Sequence, residues 1–140
     1  MSASAPLDQR ARHELREQAI WRTKLAGYAA FASAALAVVM FSMIGLDTGE
    51  WQTVAPYLLG AGLTFGFGAG IYYGRSQLAA AVLMILAAST TILRVIQTGQ
   101  LGGLLVSGIV VYCYVQGFRG AMDLEELAKS EEAASGEQAI

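Results

Sequence analysis

The chain has 140 residues, room for one domain, with 14% charged and 55% hydrophobic side chains, a net charge of −2 and a mean hydropathy of +0.48. Soluble domains carry about 25% charged residues, so an ordinary soluble fold is excluded, and the balance holds no excess of cations to bind nucleic acid. The single cysteine, Cys113, excludes an internal disulfide and any multi-cysteine metal site.

Residues 1–24 carry five basic and three acidic side chains. Leu7, Ala11, Leu15 and Ala19 repeat every fourth position, a modest helical stripe. The reading is a cytoplasmic juxtamembrane helix drawn to the anionic inner leaflet. A cleaved signal peptide is not expected, because the apolar run that follows is too long for one and no Ala-x-Ala site closes it.

From Leu25 to Phe118 the only Asp, Glu, Lys or Arg residues are Asp47, Glu50, Arg75 and Arg94. Crossing about 30 Å of hydrocarbon takes about 20 helical residues. Four runs meet that length: 25–46, 54–73, 78–96 and 101–118. In lipid the backbone must satisfy its own hydrogen bonds, so each is predicted to be a helix. The breaks hold Gly49, Gly74 and Gly99, which suit tight hairpins. Pro56 is expected in the first turn of the second helix, where its missing N–H does no harm. The predicted fold is therefore all-α: an integral membrane, antiparallel four-helix bundle over 25–118.

In the second span Gly62, Gly66, Gly70 and Gly74 recur every fourth residue and share nearly one face. A row without side chains lets another helix come close, and close van der Waals contact drives association in lipid. The row serves either packing within the bundle or a face kept for a partner. Gly60 and Gly68 fall roughly opposite it. Small faces also mark span one (Ala26, Ala30, Ala34, Ala37), span three (Ala80, Ala87, Thr91) and span four (Gly103, Ser107, Gly117).

Arg94 lies near the outer end of span three, on the face of Ala80, Ala87 and Thr91. Asp47 and Glu50, in the first outer loop, are its natural partners. The two readings are an outer-side ion pair and an anion or headgroup contact at an outer mouth. Ser33, Thr64 and Ser89-Thr90-Thr91 are expected to bond to their own helix carbonyls. His13 reads as a solvated surface residue and Cys113 as a small core residue. No Asp, Glu or His lies within any span, and proton-coupled or metal transport normally requires one. No catalytic residues, metal ligands or cofactor site are predicted.

Residues 119–140 form an acidic cytoplasmic tail, with six acidic residues and Lys129 from Asp123 onward. Leu124, Leu127 and Ala128 give a short helical pattern that is expected to fade into the polar end. Orientation follows from the basic residues. Arg10, Arg12, Arg16, Arg22, Lys24, Arg75, Arg119 and Lys129 fall on one side and Arg94 alone on the other. Both termini are predicted to be cytoplasmic.

Through Tyr72-Tyr73-Gly74-Arg75-Ser76, the apolar third helix, Thr98-Gly99 and Gln116-Gly117-Phe118-Arg119-Gly120, the second half resembles a group of small bacterial inner-membrane proteins with four predicted spans and no assigned activity. In that group an aromatic and a basic residue usually follow the closing motif, whereas Ala121-Met122-Asp123 stands here. The resemblance implies a bacterial inner-membrane bundle and supplies no chemistry. The chain looks unlike small multidrug exporters, quinone-linked disulfide enzymes and fluoride channels. It lacks their first-helix carboxylate, paired cysteines and asparagine, respectively.

The functional expectation is a non-enzymatic accessory or assembly subunit of a membrane complex, in contact with lipid and with other subunits or copies of itself. The alternative is a homo-oligomeric pore or transporter for a small solute.

Overall fold

The structure, a computed structural model, describes residues 5–99 and 104–138, with the side chains of 5–7, 94, 97, 98 and 138 outside the described set. Among the described residues there are four helices and no strand: α1 (Ala5–Thr48), α2 (Trp51–Gly74), α3 (Gln77–Thr98) and α4 (Leu104–Gln138). The stretches Asp8–Thr48, Trp51–Gly74 and Leu104–Glu137 are long and apolar enough to cross a membrane. The sequence predicts a fourth span, but the described apolar part of α3, Gln77–Leu93, is shorter.

Each boundary has a local cause. Gly49 ends α1 in the left-handed region at φ 71°, its N–H bonded to the Gly45 carbonyl at 3.0 Å. That is a conformation glycine adopts without cost. At the end of α2 the left-handed residue is Arg75, at φ 50°, and its N–H bonds to the Ile71 carbonyl at 3.1 Å. A side-chain-bearing residue there is strained. Ser76 then caps α3, its hydroxyl oxygen accepting from the Ala79 N–H at 3.3 Å. Helix α2 starts three residues before the predicted span, so Pro56 sits beyond its first turn. Its ring nitrogen leaves the Gln52 carbonyl without the usual i+4 donor.

The core is built from small residues. Ala26, Ala30, Ile71, Ala79, Ala80, Leu83 and Tyr114 form one buried cluster. Helix α1 packs most extensively against α2 and α4, α4 also packs on α3, and α2 meets α3 least. The contacts between α1 and α2 pair Gly27 with Tyr72, Ala30 with Gly68, Phe31 with Phe65, Phe41 with Tyr57 and Gly45 with Trp51. One helix is thus read upward as the other is read downward. A Cβ added at Gly68 would stand 2.6 Å from the Ala30 Cβ, and one at Gly117 would collide with the Ala26 Cβ. Close approach at these positions needs glycine.

Two helices are longer than a membrane crossing requires. At 1.5 Å per residue the 44 residues of α1 extend about 66 Å, roughly twice the hydrocarbon thickness. The surplus of α1, at its amino-terminal end, and that of α4, at its carboxy-terminal end, lie side by side. Gly120 sits against Ala19, where an added Cβ would be 2.6 Å from the Ala19 carbonyl oxygen. Ala19, Thr23 and Ala121 are buried in this region. Arg22 Nη1 meets Asp123 Oδ2 at 3.1 Å, and Arg16 meets Glu131 at 3.8 Å.

This arrangement differs from the expectation for the acidic tail. The amino-terminal segment rests against α4, and the acidic segment continues as helix to Gln138 instead of fading. Opposite net charges on the two segments and the absence of a side chain at Gly120 bring them together.

Candidate functional site

Three places gather the residues that chemistry or recognition could use: the glycine row of α2, a cavity in the bundle, and the paired tails.

The glycine row faces away from its own bundle. Cβ atoms added at Gly62, Gly66 or Gly74 would meet no described atom within 4 Å. Only Gly70 has a neighbour, the Ala79 Cβ at 3.5 Å. The packed face of α2 is instead Val54, Ala61, Gly68 and Ile71, all buried. Gly68 lies across the helix from the row, and it is the glycine that touches α1.

The cavity, about 330 Å³, has a wall from every helix. Ser33 comes from α1, Thr64 from α2, Thr90 and Thr91 from α3, and Ser107 and Tyr114 from α4. Leu83 and Tyr114 belong both to this wall and to the buried cluster, so the cavity begins where the core ends. Four of the hydroxyls spend their proton on their own helix. Ser33 donates to the Ala29 carbonyl at 2.7 Å, Thr64 to Gly60 at 2.9 Å, Thr91 to Ala87 at 2.7 Å and Thr90 to Leu86 at 2.9 Å. An aliphatic surround holds these oxygens, and no charged side chain stands among the described residues of the wall.

At the paired tails the contacts are ionic and exposed. Gln77, at the start of α3, donates to the Glu125 carboxylate, which also receives Lys129 Nζ at 2.6 Å. The neighbouring ammonium of Lys129 holds the Glu125 carboxyl below its ordinary 4.5. The carboxylate in turn raises Lys129 above 10.5. The contact joins the start of α3 to the tail of α4.

The other predicted site is Arg94 with Asp47 or Glu50. The Arg94 side chain lies outside the described residues, as does Gly103 of the span-four face. Asp47 and Glu50 are exposed, and the Glu50 N–H donates to Thr48 Oγ1 at 3.3 Å. His13 is exposed and stands 3.7 Å from Glu17. Among the described residues no cluster of three or more His, Cys, Asp or Glu side chains could hold a metal ion.

Two of these features escaped the sequence reading. The pairing of the tails had a signal in their opposite charges and in the Gly120 that lets them touch. The cavity had a signal in hydroxyls on all four runs, but each taken singly reads as ordinary back-bonding to its own helix.

No protein family, no curated protein and no solved structure matches the chain.

Proposed function

We propose that the protein is a non-enzymatic accessory or assembly subunit of a membrane complex in the bacterial inner membrane. Its four helices run antiparallel across the bilayer, with both tails in the cytoplasm.

The membrane reading draws support from three helices long and apolar enough to span, and from large exposed apolar side chains such as Leu46, Leu59, Leu78, Ile96 and Leu105. Lipid solvates such a surface at no cost. The orientation rests on the eight-to-one distribution of basic residues. The inner-membrane assignment rests on the resemblance carried by Tyr72–Ser76 and Gln116–Gly120. Of those motif residues, Gly117 and Gly120 bring α4 against α1.

The observation that carries the assembly role is the outward glycine row. A lipid-facing helix gains nothing from three exposed glycines, which lower helix propensity by about 1 kcal/mol each. A partner helix gains a close-packing track from them. The row therefore supports a binding face for another transmembrane helix. On the outer side, Arg94 is proposed to pair with Asp47 or Glu50. Arg94→Ala should cost about 1 kcal/mol or less, recovered in part by exchanging the charges.

The test is native mass spectrometry after mild detergent extraction, with the wild type beside Gly66→Leu. A defined hetero-complex that Gly66→Leu dissolves supports the assignment. A symmetric homo-oligomer moves it to the pore or transporter reading. A monomer in both samples overturns it. Orientation is tested separately with a reporter active only in the cytoplasm: signal is expected from fusions at either terminus and none at Gly49.

A further inference from the structure

We infer that the cavity between the four helices is a binding site for a small uncharged molecule rich in O–H or N–H donors, of the size of a short polyol or amide. The assembly role of the glycine row is independent of it.

A hydroxyl has one proton and two lone pairs. Ser33, Thr64, Thr90 and Thr91 each direct their proton to a carbonyl of their own helix. What they can still offer is acceptor lone pairs, contributed by three different helices around one space of about 330 Å³. That volume stands at the small end of ligand pockets. A guest that fills it with donors satisfies several oxygens at once.

The same chemistry rejects other guests. An anion would bring more lone pairs to the four oxygens whose protons are already spent. A cation would leave water for aliphatic surroundings with no opposite charge among the described wall residues, and that transfer is costly. A purely apolar guest would cover the oxygens and leave their remaining lone pairs without a donor. The floor of Leu83 and Tyr114 joins the buried core, so a guest entering from the cavity side stops there. The geometry makes a pocket, not a path through the bundle.

The experiment is saturation-transfer NMR on the full chain in lipid nanodiscs. Propane-1,2-diol serves as the neutral donor, methylammonium as the cation and acetate as the anion. Transfer to the diol above that of protein-free discs is expected, with weaker transfer to the other two. Thr64→Val and Thr91→Val keep the shape and remove an acceptor, and each should weaken diol binding about fivefold, the worth of one neutral hydrogen bond. Thr48→Val, whose hydroxyl back-bonds to Ile44 at 2.8 Å outside the cavity, should leave binding unchanged. Diol transfer no greater than in empty discs overturns the inference, as does equal binding in the Thr→Val variants. Stronger transfer to acetate or methylammonium overturns it on the wild type alone.

Discussion

The tail half of the bundle and the opposite half use similar small and apolar residues to different ends. In the tail half, glycine meets alanine across helices: Gly68 on Ala30, Gly117 on Ala26, Gly120 on Ala19. Backbones touch, a core closes around Ile71 and Tyr114, and ion pairs clamp the ends that project beyond it. Toward the other end α1 and α2 stay together through aromatic contact. Phe41 stacks on Tyr57 with ring centroids 4.5 Å apart, and the Trp51 ring covers Gly45. There the four helices leave a hydroxyl-lined cavity between them. Closure thus depends on whether a glycine on one helix finds an alanine on the next, and not on how many small residues a helix holds.

The sharpest way to break this contrast is at Gly117. Gly117→Leu forces a side chain into Ala26 and should lose more than the roughly 1–3 kcal/mol typical of overpacking, since the obstacle is a Cβ fixed on a packed helix and not the end of a flexible side chain. The folded protein should be absent, or its melting temperature in detergent sharply lower. Gly66→Leu is the matched control on the outward row. It should leave the detergent melting profile of the isolated chain unchanged while dispersing the complex proposed above, because a Cβ there meets no described atom of another helix within 4 Å. A large loss of monomer stability would show that the row packs internally after all.

The clamp of the tails should matter less. Arg22 and Asp123 are each about half exposed, so Arg22→Ala should cost about 1 kcal/mol or less. The reversal Arg22→Asp with Asp123→Arg should restore most of that, and salt should erase the difference. Thermal unfolding at low and high ionic strength measures both. Relieving strain at the α2–α3 turn is a comparable change of opposite sign. Arg75→Asn keeps a residue that tolerates the left-handed region and should raise stability by a few tenths of a kcal/mol to about 1 kcal/mol.

The smallest effect expected is in the pH profile. The folded value of Glu125 lies below 4.5, so its contribution is present above that pH and is lost as pH falls below it. Lys129 is raised above 10.5, so its contribution is present below that pH and is lost as pH rises past it. Lys129→Met should flatten both limbs of the stability profile slightly. Both groups are exposed, which keeps the effect small.

Much of this was legible from residue order. An all-α chain of four helices follows from four apolar runs separated by glycine-bearing breaks, because a long apolar segment in lipid can satisfy its backbone only as a helix. The aligned alanines of α1 were also legible: Ala26, Ala30 and Ala34 are buried together. The candidate sites were legible as residue sets but not as arrangements. Gly62, Gly66, Gly70 and Gly74 spell a face, yet periodicity fixes only which residues share it and never what stands opposite. Thr64 and Thr91 spell back-bonded hydroxyls, yet not that they border one space.

Residue order is enough to set four helices and the breaks between them, since both depend on hydrogen bonding and solvation of neighbouring residues. The tertiary structure alone decided that Gly68 and not Gly66 meets α1, that the basic and acidic tails clasp each other, and that the core ends at Leu83 and Tyr114. The reason is physical. Helices apolar on every face offer no polar side to direct one face inward, so the choice falls to steric fit between surfaces distant in the chain. No local pattern encodes that fit.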